Sequence, residues 1–105
     1  MDIEYILNKI KNLISKISPD AKAILYGSYA RGEANQNSDI DLLVLLPDSL
    51  TPDQFIQQKI NISGHLYDFS LANNVDVSPL ILVPKVFYAR KTPFTLNVIN
   101  EGIEL

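Results

Sequence analysis

Two short stretches of this chain carry residue types that could do chemistry together. Gly27-Ser28 closes one apolar run, and after ten intervening residues Asp39-Ile40-Asp41 opens another. Residues two apart on a strand leave the same face, so Asp39 and Asp41 would project two carboxylates roughly 6–7 Å apart along the chain. Such a pair repels itself unless a cation lies between. Hard oxygen donors suit Mg²⁺ or Mn²⁺, which complete their shells with water and substrate phosphate. Asp76, in the middle of "VDV" at 75–77, lies in an apolar segment where an unpaired carboxylate is costly, and could add a third ligand from a neighbouring strand.

Gly27-Ser28 supplies a complementary half. A glycine where a strand turns into a helix lets the backbone approach a ligand closely, and a helix N-terminus offers N–H groups and partial positive charge to phosphate. The Ser28 hydroxyl can donate to the same group. Phosphate binder and metal carboxylates together suit a nucleoside triphosphate with its metal. Each part also has an ordinary use: an Asx cap or solvated turn for Asp39 and Asp41, a strand terminator for Gly27-Ser28, a cap after Asn73-Asn74 for Asp76, a surface charge for Arg31. His65 and the scattered tyrosines read as packing or solvent-exposed residues, and Ser38 as a loop cap.

The elements that must position these groups follow from periodicity. Ile3, Ile6, Leu7, Ile10, Leu13, Ile14 and Ile17 line one face of a helix expected over 2–17. Ser18-Pro19-Asp20 stops it, and "AKAILYG" at 21–27 reads as a buried strand. A short helix is expected over 29–33 with Ser28 as its N-cap and Gly32 near its end. "DIDLLVLL" at 39–46 reads as a central strand, and the short connection permits either antiparallel pairing with the first strand or a crossover. Thr51, Pro52 and Asp53 mark a helix start, and Ser63-Gly64 is expected to break or kink that helix. A third strand is expected within 73–83, then two short helices separated near Thr92-Pro93, the last ended by Gly102. Strands separated by helices make an α/β domain.

Composition narrows the chemistry. The 105 residues are 47% hydrophobic and 20% charged, as in an ordinary globular protein of one domain, expected here over 1–105. A net charge of −3 argues against nucleic acid as the main partner. With no cysteine and one histidine, disulfides, zinc clusters, thiol catalysis and two-histidine mechanisms are excluded. No run approaches the roughly 20 apolar residues of a membrane span and no secretory signal is visible, so no membrane association and a cytoplasmic location are expected.

The string "GSYARGEANQNSDIDLLV" with "VDV" downstream resembles the DNA polymerase β-like nucleotidyltransferases, and in particular the minimal nucleotidyltransferase (MNT) domains that are often encoded beside a HEPN-domain toxin. The resemblance covers nearly the whole chain, with "VINEGIEL" similar to the family's terminal helix. It implies a small mixed β-sheet flanked by helices. It implies that Gly27 and Ser28 hold triphosphate oxygens, that Arg31 touches phosphate or braces its loop, and that Asp39, Asp41 and Asp76 bind two Mg²⁺ ions, with Asp76 also readying the attacking hydroxyl. The implied reaction moves AMP from ATP to a hydroxyl, in the MNT group a tyrosine of the HEPN toxin, with the chain acting as antitoxin. Two other readings are an antitoxin that only occludes its partner, through apolar positions on the terminal helices, and a stand-alone transferase acting on a small molecule. A homo-oligomer would suit the latter.

Overall fold

A computed structural model describes residues 2–105. The order is α1 (Ile3–Ile17), β1 (Lys22–Tyr26), α2 (Ser28–Arg31), β2 (Ile40–Leu45), α3 (Pro52–Asn73), β3 (Val77–Leu82), α4 (Pro84–Tyr88), α5 (Pro93–Glu101) and β4 (Ile103–Glu104). The four strands form one mixed sheet in the order β3-β2-β1-β4. β1 runs antiparallel to both β2 and β4, while β2 and β3 are parallel and joined by the α3 crossover.

Alternation along the strands divides the core into two layers. Ala23 and Leu25 of β1, with Ile40, Leu42 and Val44 of β2, face a cluster completed by Ile6, Ile10 and Ile14 of α1 and Ile62 and Leu66 of α3. Leu43 and Leu45 point to the opposite face, where they meet Phe87 of α4 and Val98 of α5. Helices therefore cover both sides of β2, which explains its nearly continuous apolar run. Asp39 and Asp41 have the parity of Leu43 and Leu45, so they belong to the α4–α5 face at its open end.

α1 begins where the Asp2 carboxylate accepts the Tyr5 N–H at 3.3 Å, one residue inside the expected start. α3 opens with a capping box: Gln54 N–H donates to Thr51 Oγ1 at 3.2 Å and Thr51 N–H to Gln54 Oε1 at 2.9 Å. The expected break at Ser63-Gly64 does not occur, and the helix runs on to Asn73. Ile62 and Leu66, one turn apart and fully buried, straddle the glycine, and their packing outweighs its poor helix propensity of about 1 kcal/mol. Asn74, with φ of 52°, then closes the helix in the left-handed region.

Two further expectations are corrected. Ser28 is the first residue of α2 and not its N-cap, a position held by Gly27 with φ of 75° and ψ of −152°. Gly102 ends α5 as expected, but the rest of "VINEGIEL" is not helical: Ile103 and Glu104 form β4 and pair with Leu25 and Ile24. Gly102 is needed there, since a Cβ would collide with the Val98 carbonyl oxygen and lie 2.7 Å from Ile24 Cγ2.

Gly64 and Gly102 should respond in opposite directions to alanine. Gly64→Ala adds a methyl with nothing within 4 Å and should stabilise by about 0.5–1 kcal/mol. Gly102→Ala should destabilise by about 1–3 kcal/mol. Urea unfolding midpoints of the two variants against the parent chain measure both.

Candidate active site

The site lies where β1 ends and β2 begins. The antiparallel register sets Tyr26 opposite Asp41, so the residue after Tyr26 turns directly over the Asp41 side chain. That residue is Gly27, and a Cβ there would strike Asp41 Oδ2 and stand 3.1 Å from Cγ. Glycine is thus required twice, for its positive φ and for the carboxylate against which it packs. α2 follows at once, and the N–H groups of its first turn have no partner within the helix.

Asp41 is half-buried and Asp39, just before β2, is exposed. Burial and then the neighbouring Asp39 charge push the Asp41 carboxyl above its ordinary pKa, with Arg31 opposing in part. Burial and the Asp41 charge together also raise the Tyr26 phenol, whose ring packs edge-on against Phe94 at 5.4 Å. Two mutually repelling carboxylates of this kind are the hard-oxygen donor set that a divalent cation relieves. Asp39 and Asp41 are the residues here whose chemistry could hold a divalent cation.

Asp76 stands differently from its expected place. It precedes β3 and is exposed, so no burial cost attaches to it. Its carbonyl accepts the Ile40 N–H at 2.7 Å, and one step back from the Ile40–Val77 pair sets Asp76 beside Asp39. The three acids share one end of the sheet. Even so, among the described residues no three Asp, Glu, His or Cys side chains converge closely enough to hold a metal. Asp76 instead lines a polar groove of about 420 Å³ with Tyr29, Gln36, Asn37, Ser38, Asn74 and Val75. Ser38 is the loop cap expected of it, its Oγ accepting the Asn35 N–H at 2.9 Å. A second groove, of about 360 Å³, leads from Asp76 and Val77 along Ser63, Tyr67 and Leu71 of α3.

Arg31 is half-exposed and held by two acids. Its Nε donates to Glu33 Oε2 at 3.1 Å and its Nη1 to both oxygens of Glu101 at 3.2 Å. These bonds, Glu33 first, hold the guanidinium protonated above its ordinary pKa. Glu101 Oε1 also accepts the Gly27 N–H at 3.2 Å. Glu101 was not among the residues expected at the site, and no local pattern marks it, because its partners lie 70 and 74 residues away.

Comparison with known proteins shows the family and the fold. The profile of the nucleotidyltransferase domain family matches residues 7–95. A "putative protein adenylyltransferase" of Methanocaldococcus jannaschii is 34% identical over 107 residues, covering 100% of both chains. A crystal structure of a toxin-antitoxin with AMP-PNP superposes on 92% of this chain and 69% of its own, with a TM-score of 0.61 and 26% identity. The structure of a "putative minimal nucleotidyltransferase" superposes on 100% of this chain and 97% of its own, with a TM-score of 0.60 and 25% identity.

The raised Asp41 carboxyl carries a pH signature. The folded chain holds that proton more tightly than the unfolded one, so ionising it removes stability as pH rises above the ordinary value of about 3.9 and through the raised folded value. Asp41→Asn should therefore melt higher than the parent at neutral pH, with the gain vanishing below about pH 3.9. Thermal unfolding across pH 3 to 8 measures it. Gly27→Ala should cost about 1–3 kcal/mol at any pH, because its strain is steric.

Proposed function

Because the chain belongs to the nucleotidyltransferase domain family, in its minimal form, we propose that it transfers AMP from ATP to a hydroxyl, most simply a tyrosine, of a HEPN-type toxin, and so acts as the antitoxin of a pair. The observation that carries this reading is the half-buried Asp41 carboxylate packed beneath a side-chain-free Gly27 at the mouth of α2, with the exposed Asp39 charge beside it. An acid serving only as a cap has no need of burial or of a glycine above it. The similarity to a protein adenylyltransferase and to a toxin-antitoxin with AMP-PNP supports both the nucleotide and the class of partner.

In this reading the first-turn N–H groups of α2 and the Ser28 hydroxyl donate to triphosphate oxygens, and Arg31 adds a charged donor. Asp39 and Asp41 would hold Mg²⁺, which would supply charge neutralisation at the phosphates. The acceptor oxygen bonds to the α-phosphorus as the bond to the bridging oxygen breaks, and pyrophosphate leaves. Asp76, exposed between the two grooves, takes the hydroxyl proton.

An acceptor carried by another protein suits the surface. Ile56, Ile60, Tyr67 and Leu71 recur along one side of α3, and Ile60 and Tyr67 are each 66% exposed. This stripe borders the groove that ends at Asp76. The same stripe favours the second reading, neutralisation by occlusion alone. The N-terminal helix is a poor candidate for that role, because Ile6, Ile10 and Ile14 are already buried in the core.

Incubation of the chain with labelled ATP, Mg²⁺ and the product of a neighbouring HEPN-type gene should label that product. Asp39→Asn with Asp41→Asn should lower transfer by about three orders of magnitude or more while leaving the melting temperature undiminished. If the double variant still protects cells fully from the toxin, occlusion replaces transfer as the function. If neither label nor nucleotide binding is found with any divalent metal, the nucleotidyl-transfer reading fails.

A further inference from the structure

We propose that Glu101 is a positioning residue for the triphosphate grip, fixing both ends of the Gly27–Arg31 turn and the direction of the Arg31 guanidinium. This rests on the reading of Gly27–Arg31 and Asp39–Asp41 as a nucleotide-and-metal site.

One carboxylate reaches both ends of the turn. Glu101 Oε1 accepts from the Gly27 N–H and from Arg31 Nη1, and Oε2 takes a second contact to Nη1, all at 3.2 Å. Its side chain is 22% exposed, against 44% for Arg31, so the acid is the better sheltered member of the pair.

The backbone behind Glu101 is firmly tied. It is the last residue of α5, and the next N–H, from Gly102, bonds Val98 O at 2.8 Å. Gly102 is pressed against Ile24, and Ile103 then pairs with Leu25 of β1. β1 is the strand that delivers Gly27. The turn, Glu101, β4 and β1 thus close a ring, in which the position of the carboxylate is referred to the strand whose end it holds.

The guanidinium gains a defined direction from this. Five N–H donors are available to an arginine. Glu33 engages Nε and Glu101 engages Nη1, which leaves Nη2 for a phosphate oxygen.

The test uses the whole chain with AMP-PNP and Mg²⁺. Glu101→Gln keeps the shape and an acceptor for Gly27 but loses the charge that holds Arg31, and should weaken AMP-PNP binding about tenfold, about 1.4 kcal/mol. On an Arg31→Ala background the same substitution should change affinity little, because its effect passes through Arg31. Equal affinity of Glu101→Gln and parent, or full additivity with Arg31→Ala, overturns the proposal. Without nucleotide, the Gly27 amide should be protected from hydrogen exchange in the parent and lose that protection in Glu101→Ala. Retained protection overturns the proposal by itself, and if Glu101→Ala does not fold, the affinity cycle with Glu101→Gln decides. A parent chain that binds no nucleotide but shows the Gly27 protection would remove the nucleotide reading and leave Glu101 as the holder of the turn alone.

Discussion

The structure depends on one close approach, the Gly27 backbone over the Asp41 carboxylate. The antiparallel register of β1 and β2 brings the two together, and only a residue without a side chain can stand there. From that contact follow the abrupt turn into α2, the exposure of its first N–H groups, and the direction in which Asp39 and Asp41 face. Register is set in turn by the core, since a one-residue slip would move Leu42 and Val44 out of the α1–α3 layer. Burial of plain aliphatic side chains thereby places the polar site.

The site also holds a charge arrangement that works against the fold. Asp41 is half-buried beside a like charge and under a backbone turn, and its proton is retained more strongly for that reason. Folding tolerates this because the surrounding leucines and isoleucines are buried almost completely. The cost is local, and a cation placed between the two carboxylates would relieve it.

Much of this could be read from residue order, and what could not has a common cause. The helix face of α1, the alternation in β1, the apolar run of β2 and the Thr51 cap of α3 are signals carried by neighbours in sequence. So is the Gly27-Ser28 and Asp39-x-Asp41 pattern, because strand, turn and strand are contiguous. The uninterrupted α3 was missed because burial of Ile62 and Leu66 by distant partners, and not local propensity, decides it. β4 was missed because two residues become a strand only when an edge of β1 is there to receive them. Glu101 escaped for the same reason, being one acid among many until tertiary contact brings it to Gly27 and Arg31. Asp76 was expected within an apolar strand, but it precedes β3 and is exposed, because its surroundings depend on where α3 ends and not on its valine neighbours.

β3 is an outer strand of the sheet, and Pro79 lies at its centre. Ile40 N–H bonds Asp76 O and Leu46 N–H bonds Leu82 O, so the even-numbered residues of this strand face β2, while Val77, Pro79 and Ile81 turn their backbones outward. Proline has no N–H to offer, which leaves two outward donors separated by roughly 13 Å. No incoming strand can find a continuous ladder on that border. The sheet is therefore closed to growth at the β3 margin. A visiting chain on that side has to be recognised by side chains on the helices and grooves, not by backbone templating, and crowding many copies together does not offer them a β-ribbon to extend there.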